Sequence, residues 1–402
     1  MRVLYHIQGN VFGGAHNQCL RLHGELAQQG YDSVVLLPDD PGNAAERLSG
    51  AGIEVHQRKL ARIRAGKSPA ALARQVVALR RQAAELADFL VRERIDLVQV
   101  HGLLALDAAV AARRVGIPLV WQLIDTRPPT LLRRALVPLV NRWADAIMTT
   151  GTRLLAEYPG LASDPERHVP FFPPVASGEF AADVPAATRQ RVRRALLGRD
   201  VDPDTVLVGS LGNLNPQKGF EYLIDAVASL RKAGRNVELV IRGAESPGHP
   251  WYRASLTALL ERHGLPATTV APLEPDIPVA EFMSALDLFA LTPVRRSEGV
   301  PTVLLEAMWA GRPCVAADVG GVREVVTTAV GAMCRPEAPD SAAAAIAQVI
   351  DAGESGRSAM SRAARLQAET LFTLQECTKA HVAAYDLARR HHEAAQPARG
   401  AQ

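Results

Sequence analysis

Short apolar runs alternate along the chain with longer stretches in which apolar residues recur at helical spacing. In the first half, the apolar runs that predict buried strands are RVLYHI (2–7), SVVLLP (33–38), DLVQVH (96–101), PLVWQL (118–123) and AIMTTG (146–151). Between the first two, HNQCLRLHGELAQQG (16–30) predicts a helix that Gly30 closes as a C-cap. A repeated strand–helix–strand order is typical of a parallel sheet with helices on both faces.

The alternation weakens over residues 170–205, which are rich in proline and charge, and a domain boundary is predicted there. It resumes with the predicted strands VLVGSLG (206–212), VELVIRGA (237–244), TTVAPL (268–273), DLFALTP (287–293) and PCVAADVGG (313–321). Helices are predicted over 219–234, 252–265 and the C-terminal region. The pattern indicates two doubly wound α/β domains. Because ligands of such sheets bind at the carboxyl ends of the strands, we expect the site in a cleft between the two domains.

Composition narrows the possible functions. The chain has 402 residues, 48% of them hydrophobic, and a net charge of +3, which fits a globular protein and argues against a nucleic-acid partner. The start MRVLYHIQGN does not have the form of a secretory signal, and no apolar run is long enough to span a membrane. The cysteines are far apart without a CxxC pair, which favours reduced thiols in a cytoplasmic protein: Cys19, Cys314, Cys334 and Cys377. The histidines show no metal-ligand spacing, so no metal is expected.

The segment SEGVPTVLLEAMWAG (297–311) combines an apolar helix with two acids. With Pro301 at the first helical position, apolar side chains surround nearly the whole helix, which is typical of a buried helix. Glu306 lies inside it, and a buried carboxylate is costly unless something bonds it. One interpretation is that Glu298 binds sugar hydroxyls and Glu306 a ribose diol. The alternatives are that Glu298 favours the helix dipole and that Glu306 forms a salt bridge with Arg323 or Lys218.

The backbone that leads into this helix is a candidate for holding phosphate. Its free N–H groups are predicted at a helix start, where intrahelical partners are missing. They belong to Gly299, Val300, Thr302 and Val303.

Two glycine-containing loops each follow a predicted strand and open a helix. In QGNVFGGAHNQ (8–18), Gly13 and Gly14 allow a close approach of backbone to an anion, although the loop is not GxGxxG. In SLGNLNPQKGFEYL (210–223), Lys218 is either a point charge for phosphate or a solvated lysine in a turn. The pattern GxxxxGK[ST] of a Walker loop is absent.

Together these motifs resemble glycosyltransferase family 4, the retaining GT-B enzymes, from the first loop to about residue 385. The resemblance lies in Glu298 and Glu306 within SEGVPTVLLEAMWAGRPCVAADVGGVREVV, in GNLNPQKG, in PFFPPVASGEF between the domains and in FTLQECTKAHVAAYDLA near the C-terminus. It implies two Rossmann-like domains: residues 1–175 with a returning helix 373–395 on the acceptor side, and residues 176–372 binding the nucleotide sugar. It further implies that Glu298 holds the donor sugar, Glu306 the ribose and Lys218 the diphosphate.

The chain departs from the family pattern at two places. Asn213 stands where the family usually has arginine, so the diphosphate clamp has one charge fewer. The family often has histidine at position 122 or 124, where this chain has Gln122 and Ile124, followed by Asp125. Asp125 and the strand-end His101 are therefore the catalytic candidates on the acceptor side, and a purely structural role for His101 stays open.

The resemblance implies a metal-independent transfer of a sugar from a nucleoside-diphosphate sugar, with no cofactor, to a glycan, lipid-linked or small-molecule acceptor. Such a reaction suits cell-envelope polysaccharide biosynthesis in the cytoplasm. Basic residues over 58–81, with Arg127, Arg133 and Arg134, indicate either peripheral contact with an anionic membrane or an ordinary solvated surface. A GT-B epimerase or hydrolase and a non-catalytic sugar-nucleotide-binding protein remain alternatives.

Overall fold

The computed structural model describes residues 1–60, 69–161, 166–176, 178, 180, 184–246, 248–272 and 277–395, and the side chains of its third helix from residue 77 onward. The chain folds into two compact units, Met1–Pro174 with Leu374–Gln402, and Val175–Thr373. The sequence analysis expected these breaks at 175/176 and 372/373.

The first unit is built on a parallel seven-stranded sheet. Its strands are β1 (Arg2–His6), β2 (Asp32–Pro38), β3 (Glu54–Arg58), β4 (Leu97–His101), β5 (Leu119–Leu123), β6 (Ala146–Thr150) and β7 (His168–Phe171). The helices before residue 174 are α1 (Gly14–Gln28), α2 (Ala44–Gly50), α3 (Pro69–Arg92), α4 (Leu106–Val115) and α5 (Thr130–Trp143). The strand order β3-β2-β1-β4-β5-β6-β7 reverses direction between β1 and β4, so the topological switch point lies between the ends of these two strands.

The second unit repeats this arrangement with a parallel six-stranded sheet in the order β10-β9-β8-β11-β12-β13. Its strands are β8 (Val206–Leu211), β9 (Val237–Arg242), β10 (Val270–Ala271), β11 (Leu288–Leu291), β12 (Cys314–Ala317) and β13 (Gly331–Cys334). Its helices are α6 (Ala186–Leu197), α7 (Phe220–Lys232), α8 (Pro250–His263), α9 (Val279–Ala285), α10 (Thr302–Trp309), α11 (Val322–Val325), α12 (Pro339–Asp351) and α13 (Gly353–Leu371). The switch point of this sheet lies between β8 and β11.

The last helix, α14 (Leu374–Ala395), belongs to the first unit, as the family resemblance implied. Its buried Tyr385 hydroxyl donates to Gln99 Oε1 at 2.8 Å and lies 2.7 Å from the Tyr5 hydroxyl. Gln99 Nε2 in turn donates to Gln122 Oε1 at 3.0 Å. This buried chain of hydrogen bonds joins the C-terminal helix to β1, β4 and β5. It engages the side-chain oxygen of Gln122, a position where the family often has histidine.

All ten predicted strands are present, but three strands were not predicted. β3 (EVHQR) is largely polar, and β7 (HVPF) and β13 (GAMC) have only four residues each, so none shows the apolar run used as the criterion. Each is an edge strand of its sheet and pairs with a single neighbouring strand. The prediction that Pro301 is the first helical residue was also wrong: its ψ of 123° is extended, and Pro301 is the N-cap of α10.

The buried histidine of α14 predicts acid sensitivity of the first unit. His381 accepts from Gln18 Nε2 at 2.7 Å and donates from Nδ1 to the Cys377 carbonyl at 2.8 Å, a pattern that requires the neutral ring. Burial lowers the pKa of His381 to about 4, whereas an unfolded chain takes up this proton near pH 6.5. Protons therefore bind the unfolded state preferentially, and stability falls as pH drops below about 6.5.

We expect His381→Gln to reduce the loss of unfolding free energy between pH 7 and pH 5 by about 2 kcal/mol. Urea unfolding at pH 7 and at pH 5 measures this difference in unfolding free energy. The control is His263→Gln, because His263 is exposed. An unchanged pH difference in His381→Gln would contradict the assignment.

Candidate active site

Helix α10 begins at the carboxyl edge of the second sheet, one loop after β11. The loop is held by the buried Ser297, whose hydroxyl donates to the Val294 carbonyl at 2.5 Å, and by Val294 N–H, which donates to the Gln217 carbonyl at 3.1 Å. The first turn of the helix contains Thr302 and Val303, both only half-buried. Backbone N–H groups in a first turn have no carbonyl partner within their own helix, so this turn presents donors near the sheet edge.

Glu306 is buried, as predicted, with 9% of its surface exposed. The rest of the helix from Leu304 to Trp309 is buried with it, so an all-apolar circumference does predict burial here. The two cations considered as its partners lie in other ion pairs: Lys218 with Glu298, and Arg323 with Asp318.

Lys218 and Glu298 form the central ion pair of this edge. Lys218 Nζ donates to Glu298 Oε1 at 2.7 Å, and their side chains are 18% and 17% exposed. Lys218 comes from the loop after β8 and Glu298 from the loop after β11, so the pair spans the switch point of the sheet. Both charges therefore stand where doubly wound sheets bind their ligands.

The loop that carries Lys218 is shaped by close backbone contacts. Gly219 has φ of +60°, and a Cβ there would lie 2.1 Å from the Thr292 carbonyl oxygen. The Thr292 hydroxyl donates to the Gly219 carbonyl at 2.7 Å, which links this loop to the end of β11. Gly212 packs against the Lys218 stem, since a Cβ there would lie 3.3 Å from Lys218 Cε.

Asn213 is half-buried in the same loop, and its carbonyl accepts from Asn215 Nδ2 at 3.2 Å.

One residue of this arrangement was not recognised in the sequence. Gly320 has φ of +51°, and a Cβ there would lie 2.1 Å from the Glu298 carbonyl oxygen and 2.9 Å from that of Gly299. The next residue, Gly321, donates its N–H to the Gly299 carbonyl at 3.0 Å. The glycine pair after β12 thus supports the backbone of Glu298. The available signal in the sequence was the glycine doublet itself, which the apolar pattern predicts only as the end of a strand.

In the first unit, a histidine closes the loop that contains Gly13 and Gly14. His16 Nδ1 accepts from the Gly13 N–H at 3.2 Å, and its Nε2 donates to the Gly9 carbonyl at 2.9 Å. Gly13 is the extended N-cap of α1, and Gly14 is exposed. Burial lowers the pKa of His16, which keeps the ring neutral in this bonding pattern.

The two acceptor-side candidates differ in accessibility. His101 ends β4, is 5% exposed, stacks on Tyr5 with ring centroids 5.9 Å apart and accepts from Gln99 Nε2 at 3.2 Å. Burial lowers the pKa of His101 to about 3, so the ring is neutral at physiological pH. Asp125 follows β5 with a side chain 20% exposed, and its Oδ1 accepts from the Arg127 N–H at 3.1 Å.

At the end of β1, the buried His6 lies with its Nε2 3.3 Å from Asp107 Oδ2. The sequence analysis did not identify this pair.

The proposed basic surface is only partly available. Arg133 was expected at the surface, but it is 3% exposed, because its guanidinium donates to the Glu157 carbonyl and to Thr130 Oγ1. Arg127 and Arg134 are exposed. Of the predicted basic stretch 58–81, residues 61–68 lie outside the described residues, as do the side chains of 69–76. No helix in the described part of the chain is long and apolar enough to cross a membrane.

Among the described residues, one group has potential metal-ligand atoms within 4.8 Å of one another: Glu54, His56 and Glu93. Glu54 in this group is already engaged by Arg2 at 2.9 Å and by His56 at 2.8 Å. The group lies on the first unit and includes none of the candidate residues.

Two parallel sheets of this topology, each with loops and charges at its switch point, define the class of two-domain GT-B proteins. Within the chain, the family model for glycosyl transferases group 1 matches residues 198–367, and that for the glycosyl transferase 4-like domain matches residues 13–174. The 2-deoxystreptamine glucosyltransferase of Streptomyces kanamyceticus is 30% identical over 342 residues, which cover 77% of this chain and 82% of that protein. The chain belongs to this family, the GT-B glycosyltransferases of the GT4 type.

Two further comparisons agree with this membership. The alpha-D-kanosaminyltransferase of the same organism is 30% identical over 54% of this chain and 56% of its own length, so the match spans little more than half of that relative. The crystal structure of Anabaena HepE in complex with UDP-glucose has the same fold, with a TM-score of 0.78 at 21% identity, over 96% of this chain and 99% of that one.

The contact of Gly320 with the Glu298 backbone gives a test of the site's architecture. Gly320→Ala forces the 298–299 backbone to move, because the new Cβ and the carbonyl oxygen cannot remain 2.1 Å apart. We expect about 1–3 kcal/mol of destabilisation from this overpacking, added to about 1–2 kcal/mol for a side chain at positive φ. Thermal or urea unfolding measures it.

Gly264→Ala is the matched control. Gly264 also has positive φ, +64°, but a Cβ there meets no atom within 4 Å. Equal destabilisation by the two substitutions would contradict the contact.

Proposed function

We propose that the protein is a retaining glycosyltransferase that moves a sugar from a nucleoside-diphosphate sugar to a hydroxyl of its acceptor. The observation that carries the proposal is the Lys218–Glu298 pair at the switch point of the second sheet, beside the first turn of α10. A cation and backbone N–H groups suit a diphosphate, and a carboxylate beside them suits sugar hydroxyls. Membership of the glycosyltransferase family supports the same reaction class.

In the proposed mechanism, Lys218 acts on the leaving group. Departure of the nucleoside diphosphate leaves an oxocarbenium-like sugar and adds negative charge to the β-phosphate. Lys218, Asn213 and the N–H groups of Gly299, Val300, Thr302 and Val303 stabilise that charge, which requires no nucleophile from the protein. The leaving phosphate takes the acceptor's proton on the same face of the sugar, so the anomeric configuration is retained.

The two glutamates hold different parts of the donor. Glu298 accepts hydrogen bonds from the sugar hydroxyls, and Glu306 from the ribose diol. Without donor, Glu298 is bonded to Lys218 at 2.7 Å. When donor binds, we propose that Lys218 turns to the diphosphate and Glu298 to the sugar. Before that, the ion pair holds both side chains in place and neutralises their charges. In the first unit, the loop with Gly13 and Gly14 is the part that we assign to the donor.

On the acceptor side, Asp125 is the better placed of the two candidates to contact a substrate, because its side chain is partly exposed while His101 is buried. His101 then contributes as a neutral ring within the polar chain around Gln99.

The relatives include a protein named for 2-deoxystreptamine, so we propose cyclic polyols as acceptors to be tested beside glycans and lipid-linked sugars. Contact with an anionic membrane, through Arg127, Arg134 and the 58–81 stretch, belongs to the lipid-linked alternative, with a place in cell-envelope polysaccharide synthesis in the cytoplasm.

The division of the donor between Lys218 and Glu298 predicts different defects for their variants. Lys218→Ala should lower turnover by roughly 100- to 1000-fold, since it removes a charge that stabilises the leaving group. Glu298→Gln should also slow transfer, because the sugar loses a charged acceptor. It should leave affinity for the free nucleoside diphosphate unchanged or slightly tighter, since Lys218 is released from its ion pair.

Turnover of UDP-, GDP- and ADP-sugars with an acceptor panel, and calorimetric titration of the matching nucleoside diphosphate, measure these effects. Lys232→Ala, an exposed lysine at the end of α7, is the control. If Glu298→Gln loses nucleotide affinity as severely as Lys218→Ala, the two residues do not divide the donor in this way. Isomerisation, hydrolysis or binding alone, without transfer to any acceptor, would favour the alternative classes.

The proposal also predicts that transfer needs no divalent metal, because Lys218 and the helix-start amides supply the positive potential. Initial rates should be the same within error after dialysis against EDTA and after addition of Mg²⁺ or Mn²⁺. A rate abolished by EDTA and restored by either ion would refute this feature.

A further inference from the structure

The second unit has a large cavity at the edge of its sheet opposite Lys218 and Glu298. The cavity volume is about 1180 Å³, and its floor includes the residues that precede β8, β11 and β12, such as Asp287 and Arg312. Helices α6 and α13 form two of its walls. A six-residue strand such as β8 spans about 20 Å, so this cavity is separate from the proposed donor site.

Two arginines share one carboxylate on the inner side of the cavity, and a third arginine lies beside them. Arg189 Nη2 donates to Asp287 Oδ1 at 2.5 Å, and Arg193 donates to the other oxygen of Asp287. Arg312 lies beside them and donates to the Leu286 carbonyl at 2.8 Å. The cluster carries three positive charges against one negative charge, and the Arg189 Nε is buried without a hydrogen-bond partner among the described residues.

Burial and the crowding of positive charge lower the pKa of two of these guanidinium groups, those of Arg312 and Arg193. Burial, together with the charge of Arg189, lowers the pKa of Arg312 to about 10. Burial also lowers the pKa of Arg193, with Arg189 adding to the effect and Asp287 opposing it. Over the whole lining, seven arginines face five carboxylates, Asp200, Asp204, Asp287, Glu354 and Glu369, so the cavity keeps an excess of two positive charges.

The facing helix adds further arginines on one side. Arg357 and Arg362 of α13 line the cavity, five positions apart, with Ser358 and Ser361 between them. Arg362 is exposed, and Arg357 is half-buried with one bond, from Nη1 to the Ile350 carbonyl at 3.0 Å. Two further lining arginines, Arg194 and Arg365, already pair with Asp200 and Glu369. Serine hydroxyls next to guanidinium forks are suitable donors for phosphate oxygens.

We propose that this cavity is a second binding site, for a small molecule that carries a multiply charged phosphate group. A polyanion placed between α6 and α13 would meet Arg357 and Arg362 directly and would offset the unbalanced charge of the Arg189–Arg193–Arg312 cluster. Arginine forks match phosphate geometry better than a lysine point charge does. The site is independent of the donor site and of the proposed reaction.

The cavity lies at the far end of the helix that opens the donor site. Ala310 and Gly311, directly after α10, line it, and Arg365 donates to the carbonyl of Trp309 at the last position of that helix. The two ends of one buried helix therefore border the two sites.

Calorimetric titration with inorganic pyrophosphate tests the proposal on the full chain. We expect Arg357→Ala/Arg362→Ala to weaken pyrophosphate binding by at least about tenfold, the effect of losing two charge-assisted contacts. The control removes two exposed charges of the same unit outside the cavity, Lys232→Ala/Arg262→Ala, and should bind as the parent does.

Because pyrophosphate can also enter the donor site, each titration is repeated in the Lys218→Ala background. Binding that survives Lys218→Ala and is lost with the two α13 arginines supports the second site. Binding that is lost with Lys218→Ala and kept in Arg357→Ala/Arg362→Ala overturns it. Citrate bound as tightly as pyrophosphate would overturn the assignment to phosphate. Should the alanine pair lower the melting temperature, Arg357→Gln/Arg362→Gln gives the same comparison with less change in packing.

Discussion

The 2.7 Å ion pair between Lys218 and Glu298 is the interaction around which the carboxyl edge of the second sheet is organised. Each partner is held from behind by backbone contacts that only glycine permits: Gly219 against Thr292 on the lysine side, and Gly320 against Glu298 itself. The pair spans the switch point between β8 and β11, so the two charges are placed by the sheet topology and not by their own loops alone. Oppositely charged groups in partly desolvated positions stabilise one another, and in the proposed mechanism each of them turns to the donor when it binds.

Charge is distributed unequally over the two edges of the same sheet. At the carboxyl edge, one cation meets one anion, and the additional positive potential comes from the first turn of α10. At the amino edge, Arg189 and Arg193 converge on Asp287 with Arg312 beside them, and Asp287 Oδ2 also accepts from the Leu207 N–H at 2.7 Å. This second cluster braces the turn between α9 and β11, and its net charge makes the cavity beside it attractive to anions. A parallel sheet buried on both faces exposes its loops only at the two ends of its strands, which is why the two proposed sites of this unit lie there.

The sequence predicted the helical and strand content well wherever the apolar pattern was strong. The apolar runs of β1, β2, β4, β5 and β6 follow from burial on both faces of a parallel sheet. β3 was not predicted because a strand at the end of a sheet is covered less completely and can be polar, and β7 was not predicted because its four residues are too few to form a clear apolar run. Glu306 was predicted to be buried because its helix is apolar on all sides, and that reasoning holds for any helix with no face left for solvent. Arg133 was misplaced at the surface, because an arginine in an amphipathic pattern looks the same whether its guanidinium meets water or the Glu157 carbonyl.

The amino-acid sequence by itself determined the two-domain α/β class, the family and the identity of the charged residues near the switch points, since these follow from short-range periodicity and local motifs. Only the tertiary structure decided which charges meet. Lys218 and Glu298 are 80 positions apart, Arg193 and Asp287 are 94, and Tyr5 and Tyr385 are 380. Such pairings depend on strand order and register, which bring distant loops to one edge and leave no trace in the local pattern. The same reason kept the supporting role of Gly320 and the basic cavity out of reach of the sequence.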